Sequence, residues 1–132
     1  MLDKIHLGLS SIIETVTMPR DSATNYSSGE VDVFSTPAMI ALMECTAKNA
    51  VDLHLPMGYT TVGTRIDVRH IAATPIGMKV KSTAVLIEID GKRLLFKVEV
   101  YDEVEKIGEG IHERFIIELD KFMNKINKKS KK

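Results

Sequence analysis

The sequence predicts an α+β domain in which a curved antiparallel sheet wraps one long helix, and three observations predict it. A helix-periodic stretch runs from Ser35 to Leu55, strand-like alternation follows from Thr60 to Leu119, and no repeat or linker divides the 132 residues. A chain of that length suits a single domain that buries about two-thirds of the surface its unfolded form exposes. The domain is expected over residues 1–120, with 121–132 as a lysine-rich tail.

Taken in order, Ile5, Leu7 and Leu9 alternate and lead through Ile12, Ile13 and Val16, which predicts a strand within residues 1–18. Pro19 to Glu30 is polar and turn-rich and reads as a mobile loop, a candidate lid. Ser35 and Thr36 can both offer an oxygen to the free N–H groups of a first helical turn, and Pro37 suits that turn because its missing N–H needs no partner. Ile40, Met43, Ala47, Ala50, Val51 and His54 then define a buried stripe. After Pro56 and Gly58, the run from Thr60 to Ile71 places Val62, Thr64, Ile66, Val68 and His70 on one face, facing inward, and Arg65, Asp67 and Arg69 on the other. Met78 to Asp90 is apolar on both faces and reads as a central or covered strand. Asp90-Gly91 is a hairpin signal that hands the chain to Leu94, Phe96, Val98 and Val100, and the last strand alternates Ile111, Phe115 and Ile117 against His112, Arg114 and Ile116. A helix wrapped by such a meander is the description of a hotdog fold. Its leading strands leave edges that a second copy would cover, so a homodimer at least is expected.

Composition excludes several classes. The single cysteine, Cys45, rules out an internal disulfide framework and reads as a small core residue. No run has the pattern of a cleavable leader or the length of a membrane span, so a cytoplasmic protein without membrane association is expected. Residues 1–120 hold 18 acidic against 12 basic side chains, a net −6, and the tail adds six lysines. That tail reads as a solvated end, since the acidic body would repel nucleic acid. The four histidines lack metal-ligand spacing, and no glycine-rich phosphate loop or serine elbow is present, so neither a metal nor a cofactor is expected.

What remains is a polar set: Thr36 at the helix start, Glu44 farther along it, and His70 at the end of an inward strand face. Glu44 admits two readings. It is either an exposed partner of Lys48, worth ~0.2–0.5 kcal/mol, or a carboxylate at a cavity edge, where lost hydration favours a base. Thr36 reads equally as a cap, His70 as a half-buried strand end, and His112 with Arg114 as a solvated face. Thr36 and Glu44 lie about 12 Å apart along the helix axis, so a substrate or water must bridge them.

A family resemblance is carried by Val33-Phe34-Ser35-Thr36, Ala41-Leu42-Met43-Glu44, Val62-Gly63-Thr64, His70 to Gly77, Gly91-Lys92-Arg93-Leu94, and Ile107 to Arg114. This pattern resembles the fluoroacetyl-CoA thioesterase branch of the hotdog acyl-CoA thioesterases. The resemblance implies hydrolysis of a short acyl-CoA thioester, with CoA present only as part of the substrate. It implies Thr36, Glu44 and His70 as catalytic residues and Gly63 and Arg114 as substrate-contacting ones. The family's phenylalanine-bearing lid has no counterpart in Pro19 to Val33, whose one aromatic residue is Tyr26. The alternative is a non-catalytic acyl-CoA binding domain using the same pocket. A hydratase, which needs an Asp/His pair, is disfavoured because Asp67 faces away from His70.

Overall fold

The computed structural model describes residues 2–131. In chain order it contains β1 (Ser10–Val16), a 3₁₀ turn (Pro19–Asp21), α1 (Thr36–Asp52), β2 (Tyr59–His70), β3 (Lys79–Asp90), β4 (Arg93–Tyr101), β5 (Lys106–Glu118) and α2 (Leu119–Lys129). The strands form one antiparallel sheet in the order β1-β3-β4-β5-β2. The edges are therefore β1 and β2.

The sheet curves around α1. Met39, Met43, Ala47 and Val51 of the helix share one core with Ala84 and Leu86 of β3, Leu94, Phe96, Val98 and Val100 of β4, and Ile107 and Ile116 of β5. The predicted stripe holds at Met43, Ala47, Ala50 and Val51, whereas Ile40 and His54 are only half-buried. Ser35 caps the helix by accepting the Ala38 N–H at 3.1 Å. The helix ends at Asp52 rather than continuing to Leu55, and the chain turns out through His54 and Leu55 before Pro56.

Four local expectations are corrected. The first strand is shorter than residues 1–18 allowed, because Gly8 takes a left-handed conformation at φ 93° and turns the chain just before it. Cys45 is exposed rather than core. A bulge between Gly63 and Arg65 changes which side chains of β2 point inward. Directly opposed residues share a face, so Gly63 opposite Arg114, Ile66 opposite His112 and His70 opposite Gly108 face the helix, while Val62 opposite Phe115 faces out. Finally, the solvated-face reading of His112 and Arg114 fails, because both are buried.

The lysine tail forms most of α2, whose Leu119, Met123 and Ile126 recur at helical spacing and stay partly exposed. Among the described residues no helix is long and apolar enough to cross a membrane.

Candidate active site in two halves

The first half joins the start of α1 to the end of β2. Because Ser35 provides the cap, the Thr36 hydroxyl is free to meet His70, and Thr36 Oγ1 lies 2.8 Å from His70 Nδ1. The other ring nitrogen, Nε2, is buried and has no hydrogen-bond partner among the described residues. Burial pushes the His70 imidazole below its ordinary pKa, so the ring is held neutral. The pair borders an open cavity of about 440 Å³ lined also by Val33, Phe34, Ile71 and Ala72 and by Ser28 and Gly29. Ser28 and Gly29 belong to the loop expected to act as a lid. It is tied down at its ends, where the Ala23 N–H donates to the Val33 carbonyl at 2.9 Å and the Ser35 N–H to the Asp21 carbonyl at 2.8 Å.

The second half forms around Gly63. A Cβ placed there would stand 3.0 Å from Glu44 Oε2, 3.2 Å from His112 Cε1 and 3.5 Å from Arg114 Nη1. Only a glycine leaves this spot open. Arg114, 6% exposed, donates from Nε to Thr61 Oγ1 at 2.7 Å and from Nη2 to the Thr61 carbonyl at 2.8 Å. Burial lowers its pKa, and the nearby carboxylates of Glu44 and Asp52 oppose that shift. A guanidinium nevertheless stays charged at working pH. Glu44 thus shares its pocket with a desolvated cation. It is not the surface partner of Lys48, which pairs instead with Asp52.

All five predicted residues therefore border one half or the other, and within one chain the halves stand apart. Six ladder steps of β2 separate Gly63 from His70 once the bulge is counted, roughly 20 Å at strand spacing. The sequence reading assigned no role to His112 or Thr61. The available signal was the alternation of Gly110, His112, Arg114 and Ile116 opposite the more exposed Phe115.

One consequence is a pH-dependent stability. His70 and His112 both have pKa values below the ordinary 6.5, with burial as the first cause, so the unfolded chain takes up protons near pH 6.5 before the fold does. The stabilisation is present above that value and is lost as pH falls from it toward the lower folded values. Thermal unfolding followed from about pH 7.5 down to about pH 5.5 should show a falling midpoint. A midpoint that rises over the same span would contradict burial of these rings in neutral form.

Comparison with known proteins gives concordant matches. A family model described as fluoroacetyl-CoA-specific thioesterase matches residues 17–120. The fluoroacetyl-CoA thioesterase of Streptantibioticus cattleyicolor is 42% identical over 99 residues, covering 75% of this chain and 71% of the relative. A solved structure of the fluoroacetyl-CoA thioesterase FlK superposes with a TM-score of 0.88 at 35% identity, covering 95% of this chain and 97% of that one. A thioesterase superfamily member from Thermus thermophilus superposes with a TM-score of 0.89 at 27% identity, covering 96% and 94%.

Proposed function

Because the chain belongs to the fluoroacetyl-CoA-specific thioesterase family, we propose that it hydrolyses a short acyl-CoA thioester to the free acid and CoA. The observation that carries this reading is the Gly63 site, where a carboxylate and a buried guanidinium close to within 3.5 Å of the position a Cβ would take, against a backbone that carries no side chain. In the reaction a C–O bond forms at the thioester carbon, the C–S bond breaks, and the departing thiolate takes up a proton. Glu44 acts either as base on the attacking water or as nucleophile through a transient anhydride that water then opens. The oxyanion of the tetrahedral intermediate is met by the Gly63 N–H and by Arg114, a contribution of ~10²–10³ in rate per donor. His70 and the Thr36 hydroxyl, joined at Nδ1 across 2.8 Å, act as a pair on the substrate at the edge of the cavity they border.

Joining the two halves calls for a second copy. β2 is an edge strand whose residues 63–67 are exposed, and the helix-facing Ile66 is 36% exposed. Antiparallel pairing of two β2 strands about an axis at Asp67, which the bulge makes the midpoint of the ladder between Gly63 and His70, sets Gly63 of one protomer opposite the partner's His70. The rough 20 Å gap closes, and each dimer gains two complete sites.

A panel of acyl-CoA esters from acetyl upward, followed by free-thiol release, tests the activity. Turnover of short esters is expected, whereas tight ester binding without thiol release would favour the binding-domain alternative. The composite site has its own test. Thr36→Ala combined with His70→Ala in one chain, and Glu44→Gln in another, should each be inactive, yet randomly mixed dimers should recover about a quarter of wild-type activity, because half are mixed and each of those holds one intact site. No recovery in confirmed mixed dimers would place the whole site within one chain.

A further inference from the structure

His112 lies on the helix-facing side of β5, two residues from Arg114 and opposite Ile66, and is 1% exposed. Both of its ring nitrogens are engaged. Nδ1 is 2.8 Å from the Arg65 carbonyl oxygen, and Nε2 is 3.1 Å from Arg114 Nη1. A carbonyl oxygen only accepts and a guanidinium N–H only donates. The ring therefore has one arrangement open to it: Nδ1 carries the proton and Nε2 presents its lone pair. A protonated ring would aim an N–H at another N–H and set two cations side by side.

The fold supplies the parts of this arrangement. The bulge between Gly63 and Arg65 disturbs the ladder at that point, and the Arg65 carbonyl meets the ring there. Thr61 holds the guanidinium from one side and His112 from the other. Of the five N–H groups of Arg114, these bonds engage three and leave one on each Nη nitrogen. Its Nη1 also lies within 3.5 Å of the position a Gly63 Cβ would take, which is itself 3.0 Å from Glu44 Oε2.

We propose that His112 is a positioning residue: fixed as the Nδ1–H tautomer by the Arg65 carbonyl, it holds the Arg114 guanidinium beside Glu44 and Gly63, where charge develops during hydrolysis. The inference rests on the thioesterase reading above for its catalytic meaning. The groups acting on the ring agree with it. Burial, the largest influence, and the Arg114 charge both disfavour the imidazolium, against the opposing pull of the Arg65 carbonyl, Glu44 and Glu113.

The wild-type protein and two variants test this. Nitrogen-15 spectra of the wild-type histidines at about pH 7.5 should show His112 protonated at Nδ1 and bare at Nε2. His112→Gln can place an oxygen near the position of Nε2 and should keep kcat within ~3-fold of wild type, with a shallower loss of rate on the acid side. His112→Leu has similar bulk and no acceptor, and should lose at least ~10-fold in kcat with KM little changed. An Nε2–H tautomer or an imidazolium in the wild-type spectrum would overturn the proposal, as would wild-type kcat in the Leu variant or equal damage in a folded Gln variant. If the Leu variant does not fold, the spectrum and the Gln variant decide. Absence of turnover by the wild type would instead remove the thioesterase reading, and the spectrum would still test the tautomer.

Discussion

Glu44→Gln should lower turnover of a short acyl-CoA ester by at least ~10² while leaving the melting temperature close to that of the wild type. The substitution keeps the shape and the hydrogen-bonding reach of the side chain. It removes the charge and basicity that either route to the acid requires. Glu44 lies on the half-buried flank of α1, away from the Met39–Met43–Ala47–Val51 stripe, so the helix loses no core packing. The assay is free-thiol release under saturating substrate, so that a change in kcat is separated from a change in KM. Near-wild-type kcat in this variant would remove Glu44 from the chemistry and leave the Thr36–His70 pair as the remaining candidate.

The second large effect falls on stability. Gly110→Ala should destabilise the fold by at least ~3 kcal/mol, a large part of the ~5–15 kcal/mol that holds a typical domain together. A Cβ at position 110 would sit 2.2 Å from the Asp67 carbonyl oxygen and 2.6 Å from the Val68 Cα, both backbone atoms of the paired strand β2. Backbone that is locked in a ladder cannot step aside as a side-chain tip can. Gly91→Ala provides the contrast, because nothing lies within 4 Å of a Cβ there, and its φ of 62° alone gives a cost of about 1–2 kcal/mol. Urea unfolding of the two variants beside the wild type would measure both. A Gly110→Ala protein no less stable than Gly91→Ala would contradict the close approach of β2 and β5.

Much of this architecture was legible in the residues because single local devices specify it. Ser35, Thr36 and Pro37 marked the helix start, and Asp90-Gly91 marked the β3–β4 hairpin, with Gly91 at the positive φ such a turn requires. His70 was correctly read as inward, although by a parity that the bulge at Gly63–Arg65 partly undoes. Val62, Thr64 and Ile66 alternate without interruption, and Gly63 among them, an isolated glycine within a strand pattern, was the one signal that the ladder skips a residue there. The polar face of β5 was ambiguous for a different reason. A His and an Arg two positions apart on a strand look the same whether they meet water or a buried network, and only the Thr61 and Arg65 partners on the neighbouring strand offset the cost of burial. In the tail, six lysines concealed the spacing of Leu119, Met123 and Ile126 that α2 displays.

The neighbouring hydroxyls at the head of α1 have a consequence for how this protein can vary. Ser35 secures the helix and Thr36 meets the imidazole, so on the mechanism proposed above robustness and reactivity rest on adjacent codons that can drift independently. A lineage can erode the second without unravelling the first, which gives a ready path from a working hydrolase to a silent ligand-holding descendant with the same scaffold.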